Sequence, residues 1–227
     1  MLDNFSSFLD CEINPNERED MAHLLYIESS PRKKRSASIE VSKVFLNEYE
    51  KNNAHDVVEH LDLWQKKLPS FDGDIIDAKY AILHGQAQTE AQRKAWHEVE
   101  TLISEFKQAD KYLISLPMWN FGIPYVLKQY LDILIQPSYT FSYSPETGYK
   151  GLVVGKPITL IYARGGFYGP GSGGEALDFQ KKYMETALKF IGFTDIRSII
   201  IEPTLAKPED KDRAIEKAKK EAIHLAS

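Results

Sequence analysis

Four short apolar runs constrain this chain most: "LLYI" at 24–27, "YLISLP" at 112–117, "ITLIYA" at 158–163 and "IRSIII" at 196–201. Runs of this length without polar alternation read as strands buried on both faces. Helical spacing separates them. Residues 36–51 carry Ile39, Val44 and Phe45 among polar neighbours, and residues 90–109 set Trp96, Val99, Leu102, Ile103 and Phe106 on one stripe. Pro124 suits the first turn of a helix carrying Leu127, Tyr130, Leu131 and Leu134. The spacing predicts a helix over 175–191, stopped by Gly192, and a final helix from Pro208 through Ile215, Ala218, Ala222 and Leu225. A further strand, "VVEHLDL" at 57–63, sets Val58, His60 and Asp62 against Val57, Glu59, Leu61 and Leu63. Its one wet face marks a sheet edge. Residues 64–89 read as irregular, with turns at Pro69 and "FDGD".

Strands alternating with helices require right-handed crossovers and a parallel sheet covered on both faces. Five strands with the second at the edge match an α/β, doubly wound, flavodoxin-like sheet of order 2-1-3-4-5, with residues 136–157 inserted as a β-hairpin. In such sheets a ligand sits beyond the carboxyl ends of the strands, at the switch point between strands 1 and 3. A length of 227 residues fits one domain, expected over 21–227. The first twenty residues are acidic, have neither a basic segment nor a long apolar one, and read as a flexible arm rather than a signal peptide. Met21 directly precedes the first strand, so translation can begin there.

Three segments follow strands 1, 3 and 4, and the fold brings them together. In "SSPRKKRSAS" (29–38), Ser29, Ser30, Ser36 and Ser38 supply hydroxyls, and the helix start supplies free amides. That combination suits a phosphate. The competing reading makes Ser36 or Ser38 a simple helix cap. The run Arg32–Arg35 has at most a steering role. In "PMWNFGIP" (117–124), Trp119 and Phe121 can wall a flat ring while Asn120 and the loop amides bond its polar edge. Alternatively, these aromatics pack under neighbouring helices.

The third segment, "RGGFYGPGSGG" (164–174), holds six of the chain's thirteen glycines. Gly165 and Gly166 follow a buried strand directly, where missing side chains let backbone approach a ligand. The literal Gly169-x-Gly171-x-x-Gly174 matches a dinucleotide fingerprint, but that motif belongs in the tight turn of the first βαβ unit. Its acidic partner is also misplaced: Glu202 lies 28 residues past Gly174 (202 − 174), against about 20 expected. Residues 169–174 read instead as a mobile lip.

The sequences "SLPMWNFGIPYVLKQYLD", "YTFSYSPETGYKGLVVGKP" and "RGG" resemble the FMN-dependent NADH-azoreductases, also called FMN-dependent NADH:quinone oxidoreductases. The resemblance runs from about Met21 to the carboxyl terminus. It implies a flavodoxin-like homodimer with FMN held by Ser30, Ser36, Ala37, Ser38, Met118, Trp119, Asn120, Phe121, Ala163, Arg164, Gly165 and Gly166. It further implies two-electron transfer from NADH or NADPH to quinones and aromatic azo compounds in ping-pong order, with no catalytic side chain required. Two positions depart from the family. Ala163 stands where Ser is usual, removing a hydroxyl, and Trp119 stands where Tyr is usual, giving a wider wall. The alternatives on this fold are a non-enzymatic FMN carrier or redox-sensing module, and a nicotinamide-only dehydrogenase using the glycine fingerprint.

A net charge of −5 argues against nucleic acid and anionic membrane surfaces. The single cysteine, Cys11, permits no internal disulfide and fits a reducing cytoplasm. The histidines at 23, 55, 60, 84, 97 and 224 lack metal-ligand spacing. The hairpin aromatics Phe141, Tyr143 and Tyr149 are expected to have little of their own chain to cover them, which favours a dimer.

Overall fold

The structure, a computed structural model, describes residues 21–83 and 86–227; the arm at 1–20 lies outside the described residues. The main sheet is parallel, with β1 (His23–Glu28), β2 (Val57–Asp62), β3 (Lys111–Pro117), β6 (Ile158–Ala163) and β7 (Ile196–Ile201) in the order β2-β1-β3-β6-β7. That is the flavodoxin-like order expected. A separate antiparallel hairpin pairs β4 (Phe141–Ser144) with β5 (Gly148–Gly151).

Alternating side chains of the central strands feed two cores, which is why those strands carry apolar residues on both faces. Leu24, Tyr26, Leu113 and Ile161 face α1 (Ala37–Asn52) and α6 (Pro208–Ala226). Leu25, Ile27, Ile114 and Leu160 face α2 (Gly73–Leu83), α3 (Glu90–Gln108), α4 (Tyr125–Leu134) and α5 (Phe179–Ile191). The predicted stripe on α3 is buried throughout. Each such large side chain contributes about 1.5–3 kcal/mol over exposure to water. The helix starts at a reciprocal cap between Thr89 and Gln92. The edge strand β2 leaves Val57, Glu59 and His60 exposed.

Two boundaries differ from expectation. The stretch 64–89 contains α2, which buries Ile75, Ala78 and Ala81 but leaves Ile76, Tyr80 and Ile82 exposed. Apolar residues around the whole helix blur its period, so no stripe stands out in the sequence. The helix expected from 175 begins at Phe179. Asp178 caps it by accepting from the Lys181 amide at 2.9 Å, and Glu175–Leu177 form a single tight turn. Gly192 ends the helix at φ 119°, as expected.

The hairpin seats on that helix end. A Cβ on Gly151 would lie 2.3 Å from the Gly192 nitrogen, so only glycine permits the approach. Phe141 packs against Phe190 at 4.7 Å between centroids, so the chain itself partly covers it, contrary to expectation. Tyr143 and Tyr149 remain 62% and 66% exposed.

Candidate cofactor site at the carboxyl edge of the sheet

Parallel register carries the ends of β1, β3 and β6 to one edge: Glu28 pairs with Ser115, and Pro117 with Ala163. The chain leaves β1 through α1 on one face and reaches β3 through α2 and α3 on the other. The segments 29–36, 118–124 and 164–174 therefore meet around the switch point.

In the first segment the Ser29 hydroxyl donates to the Ser115 carbonyl at 2.8 Å. The Ser30 hydroxyl is buried and has no hydrogen-bond partner. Ser36 occupies the cap position, but its hydroxyl makes no capping bond and lies 3.1 Å from Ser38 Oγ. The simple-cap reading is thus not what forms. The Glu40 amide bonds back to the Ser36 carbonyl at 3.0 Å. The amides of Ala37, Ser38 and Ile39 precede that bond and are the free donors of a helix amino terminus. Of the basic run, Arg32, Lys34 and Arg35 are exposed. Lys33 is not a steering charge: its Nζ contacts Glu28 Oε1 at 2.7 Å and also Asp62. Partial burial lowers the Lys33 pKa, but the bonds to Asp62 and Glu28 outweigh it and leave the ammonium above its ordinary value.

The second segment is a two-residue turn. The Trp119 amide donates to the Gly122 carbonyl at 3.1 Å and the Gly122 amide returns a bond at 2.9 Å. Asn120 and Phe121 between them lie at φ 47° and 68°, as a type I′ turn requires. A left-handed phenylalanine is uncommon, and such strain clusters at functional sites. The turn leaves the Asn120 and Phe121 amides without an acceptor among the described residues. Trp119 stands 5.9 Å from Trp64 and 6.2 Å from Tyr125, while Phe121 meets Tyr168 edge-on at 6.4 Å. Trp119 is half-buried and Phe121 is exposed, so neither ring belongs to the core. Met118 is half-buried beside them. Sequence reasoning missed Trp64, whose Nε1 donates to the Ser29 carbonyl at 2.9 Å. It follows a strand end just as Trp119 does, and that position was the available signal.

In the third segment Ala163 is nearly buried and its carbonyl accepts from the Met118 amide at 2.8 Å. Arg164 differs from the expectation of a cofactor contact. Its side chain is fully enclosed, paired with Asp178 at 2.9 Å and Glu202 at 3.5 Å and donating to Gln180 at 3.2 Å. Its amide and carbonyl are taken by Ile201 and Thr204. Arg164 holds the segment in place. The amides of Gly165 and Gly166 have no acceptor among the described residues. Neither glycine needs a positive φ, and a Cβ on Gly166 would make only ordinary contact with Tyr168 at 3.6 Å.

The literal fingerprint does not build a dinucleotide turn. Gly171 lies at φ 80° in an exposed loop, and a Cβ on Gly174 would meet the Phe167 carbonyl at 2.4 Å, so the loop closes on itself. Only the short turn Glu175–Leu177 follows, with α5 starting later.

The donor set suits FMN. An orphaned buried hydroxyl and helix-terminal amides match a phosphate, and paired loop amides between aromatic walls match a flat ring with a polar edge. Fold and site together define a flavodoxin-like protein, and a family profile described as flavodoxin-like fold matches residues 22–225. An FMN-dependent NADH:quinone oxidoreductase of Desulfotalea psychrophila is 52% identical over 206 residues, covering 91% of this chain and 97% of the relative. One of Nitratidesulfovibrio vulgaris is 49% identical, covering 90% and 100%. The chain belongs to the family of FMN-dependent NADH:quinone oxidoreductases. Among solved structures, an azoreductase of Bacillus anthracis superposes with a TM-score of 0.83 at 31% identity, covering 91% of this chain and 99% of that one. An FMN-dependent NADH-azoreductase of the same species, solved in complex with FMN, gives 0.79 at 30% identity, covering 91% and 100%.

Proposed function

We propose that this protein is an FMN-dependent oxidoreductase that passes two electrons from NADH or NADPH to quinones and aromatic azo compounds. The observation carrying this reading is the buried, unpartnered Ser30 hydroxyl beside the free amino end of α1, at the edge where the Trp119–Gly122 turn and Gly165–Gly166 also meet. Ser30, Ser36, Ser38 and the amides from Ala37 onward hold the phosphate. The amides of Asn120, Phe121, Gly165 and Gly166 hold the polar edge of the ring and stabilise negative charge there. Met118 and Trp119 support one side. When bound, FMN supplies reversible two-electron chemistry, so that nicotinamide and acceptor use the site in turn, the ping-pong order, and no side-chain nucleophile is needed.

The hairpin aromatics Tyr143 and Tyr149 support a homodimer, and the single cysteine is compatible with a reducing cytoplasm. Among the described residues, no helix is long and apolar enough to cross a membrane.

The visible spectrum of the purified protein tests the reading. Oxidised-flavin absorbance is expected, with denaturation releasing FMN rather than FAD and NADH bleaching the band. A colourless protein that FMN cannot reconstitute overturns it. Steady-state turnover with NADH and a quinone separates an enzyme from a carrier, which would show the band but no turnover.

A further inference from the structure

We propose that Lys33 is the positioning residue of the phosphate loop, offsetting one of the two negative charges of Glu28 and Asp62 so that the amino end of α1 accepts a dianion. The inference rests on the FMN reading above. Glu28 and Asp62 are the last residues of β1 and β2 and register partners across them, so two carboxylates face each other at the edge where the phosphate is to sit. Glu28 is only 5% exposed and runs directly into Ser29 and Ser30. Tyr26 and His60 reach Glu28 Oε2 at 3.4 Å each, which leaves Lys33 as the one lysine or arginine on the pair among the described residues.

The backbone is shaped for this contact. Lys33 adopts φ 48°, uncommon for a side-chain-bearing residue, and its carbonyl accepts from the Ser36 amide at 3.0 Å. One residue thus fixes the last turn before α1 and carries the charge back to the strand ends. Without it, the two carboxylates would face each other with no lysine or arginine on them beside the site of a third anion, and weakly solvated charges repel strongly.

An ion pair that merely supported the fold as a whole would affect all ligands of the site alike, and one that merely shaped the loop would not be rescued by removing the two carboxylates. FMN and riboflavin differ only in the phosphate, so their binding to apoprotein, read by quenching of flavin fluorescence, separates the two roles. Lys33→Met is expected to weaken FMN about tenfold or more while riboflavin stays within about twofold. Adding Glu28→Gln and Asp62→Asn to Lys33→Met is expected to restore most of the FMN affinity, because no carboxylate then needs a partner. Equal weakening of both flavins, unchanged FMN binding in Lys33→Met, or failure of the triple variant to recover overturns the proposal. Should Lys33→Met alone not fold by circular dichroism, the triple variant decides: an FMN-to-riboflavin preference like the parent's supports neutralisation, and a lost preference refutes it. A parent that binds neither flavin refutes the FMN reading itself.

Discussion

The Met118 amide donates to the Ala163 carbonyl across 2.8 Å, extending the β3–β6 pairing one residue beyond Pro117. That bond ties the left-handed aromatic turn to the glycine pair. Four unpaired amides, at Asn120, Phe121, Gly165 and Gly166, are thereby held on rigid strand ends rather than on independent loops. Preorganisation of this kind lets donors act on developing charge without moving first.

The two halves of the glycine-rich segment should respond differently to substitution. Gly166 has an ordinary φ and room for a Cβ, so Gly166→Val is expected to fold normally yet lose bound FMN through intrusion on the ligand. Gly171 lies at φ 80° with open space around it. Gly171→Ala is expected to cost about 1–2 kcal/mol of local strain, keep FMN and alter mainly KM or turnover. Flavin content, melting temperature and NADH turnover check both; full FMN in Gly166→Val would move the ligand away from this glycine.

Arg164 is expected to matter for stability far more than for ligand contact. Arg164→Met leaves Asp178 and Glu202 without their cation in an enclosed cluster. Breaking such a pair typically costs about 3–5 kcal/mol. Urea denaturation should show the loss, with Arg164→Lys intermediate because it keeps the charge but not the fork. A loss below about 1 kcal/mol in Arg164→Met would mean the cluster reorganises around the vacancy.

Association should depend on the outward aromatics of the hairpin. Light scattering is expected to give twice the chain mass of 25.9 kDa, and Tyr143→Ser with Tyr149→Ser to shift the protein toward monomer. Because Phe141 packs on Phe190 within the chain, the hairpin itself should persist in that variant. A fully active parent that is monomeric at micromolar concentration would exclude the dimer.

The sequence by itself determined the strands of the main sheet and their order. Burial on both faces demands continuous apolar runs, and crossover handedness leaves few ways to arrange them. The local signals at Gly192 and Pro208 were equally legible, because a left-handed cap and a first-turn proline are set by their own backbone. Tertiary structure alone decided what depends on distant partners. It drew Arg164 inward to Asp178 and Glu202, turned Lys33 from a solvated charge into the partner of Glu28 and Asp62, and brought Trp64 to Trp119. It also revealed α2, whose apolar residues point to both core and surface and so carry no clear period. A residue's type states what bonds it can make; which of them form depends on neighbours that only the folded chain brings within reach.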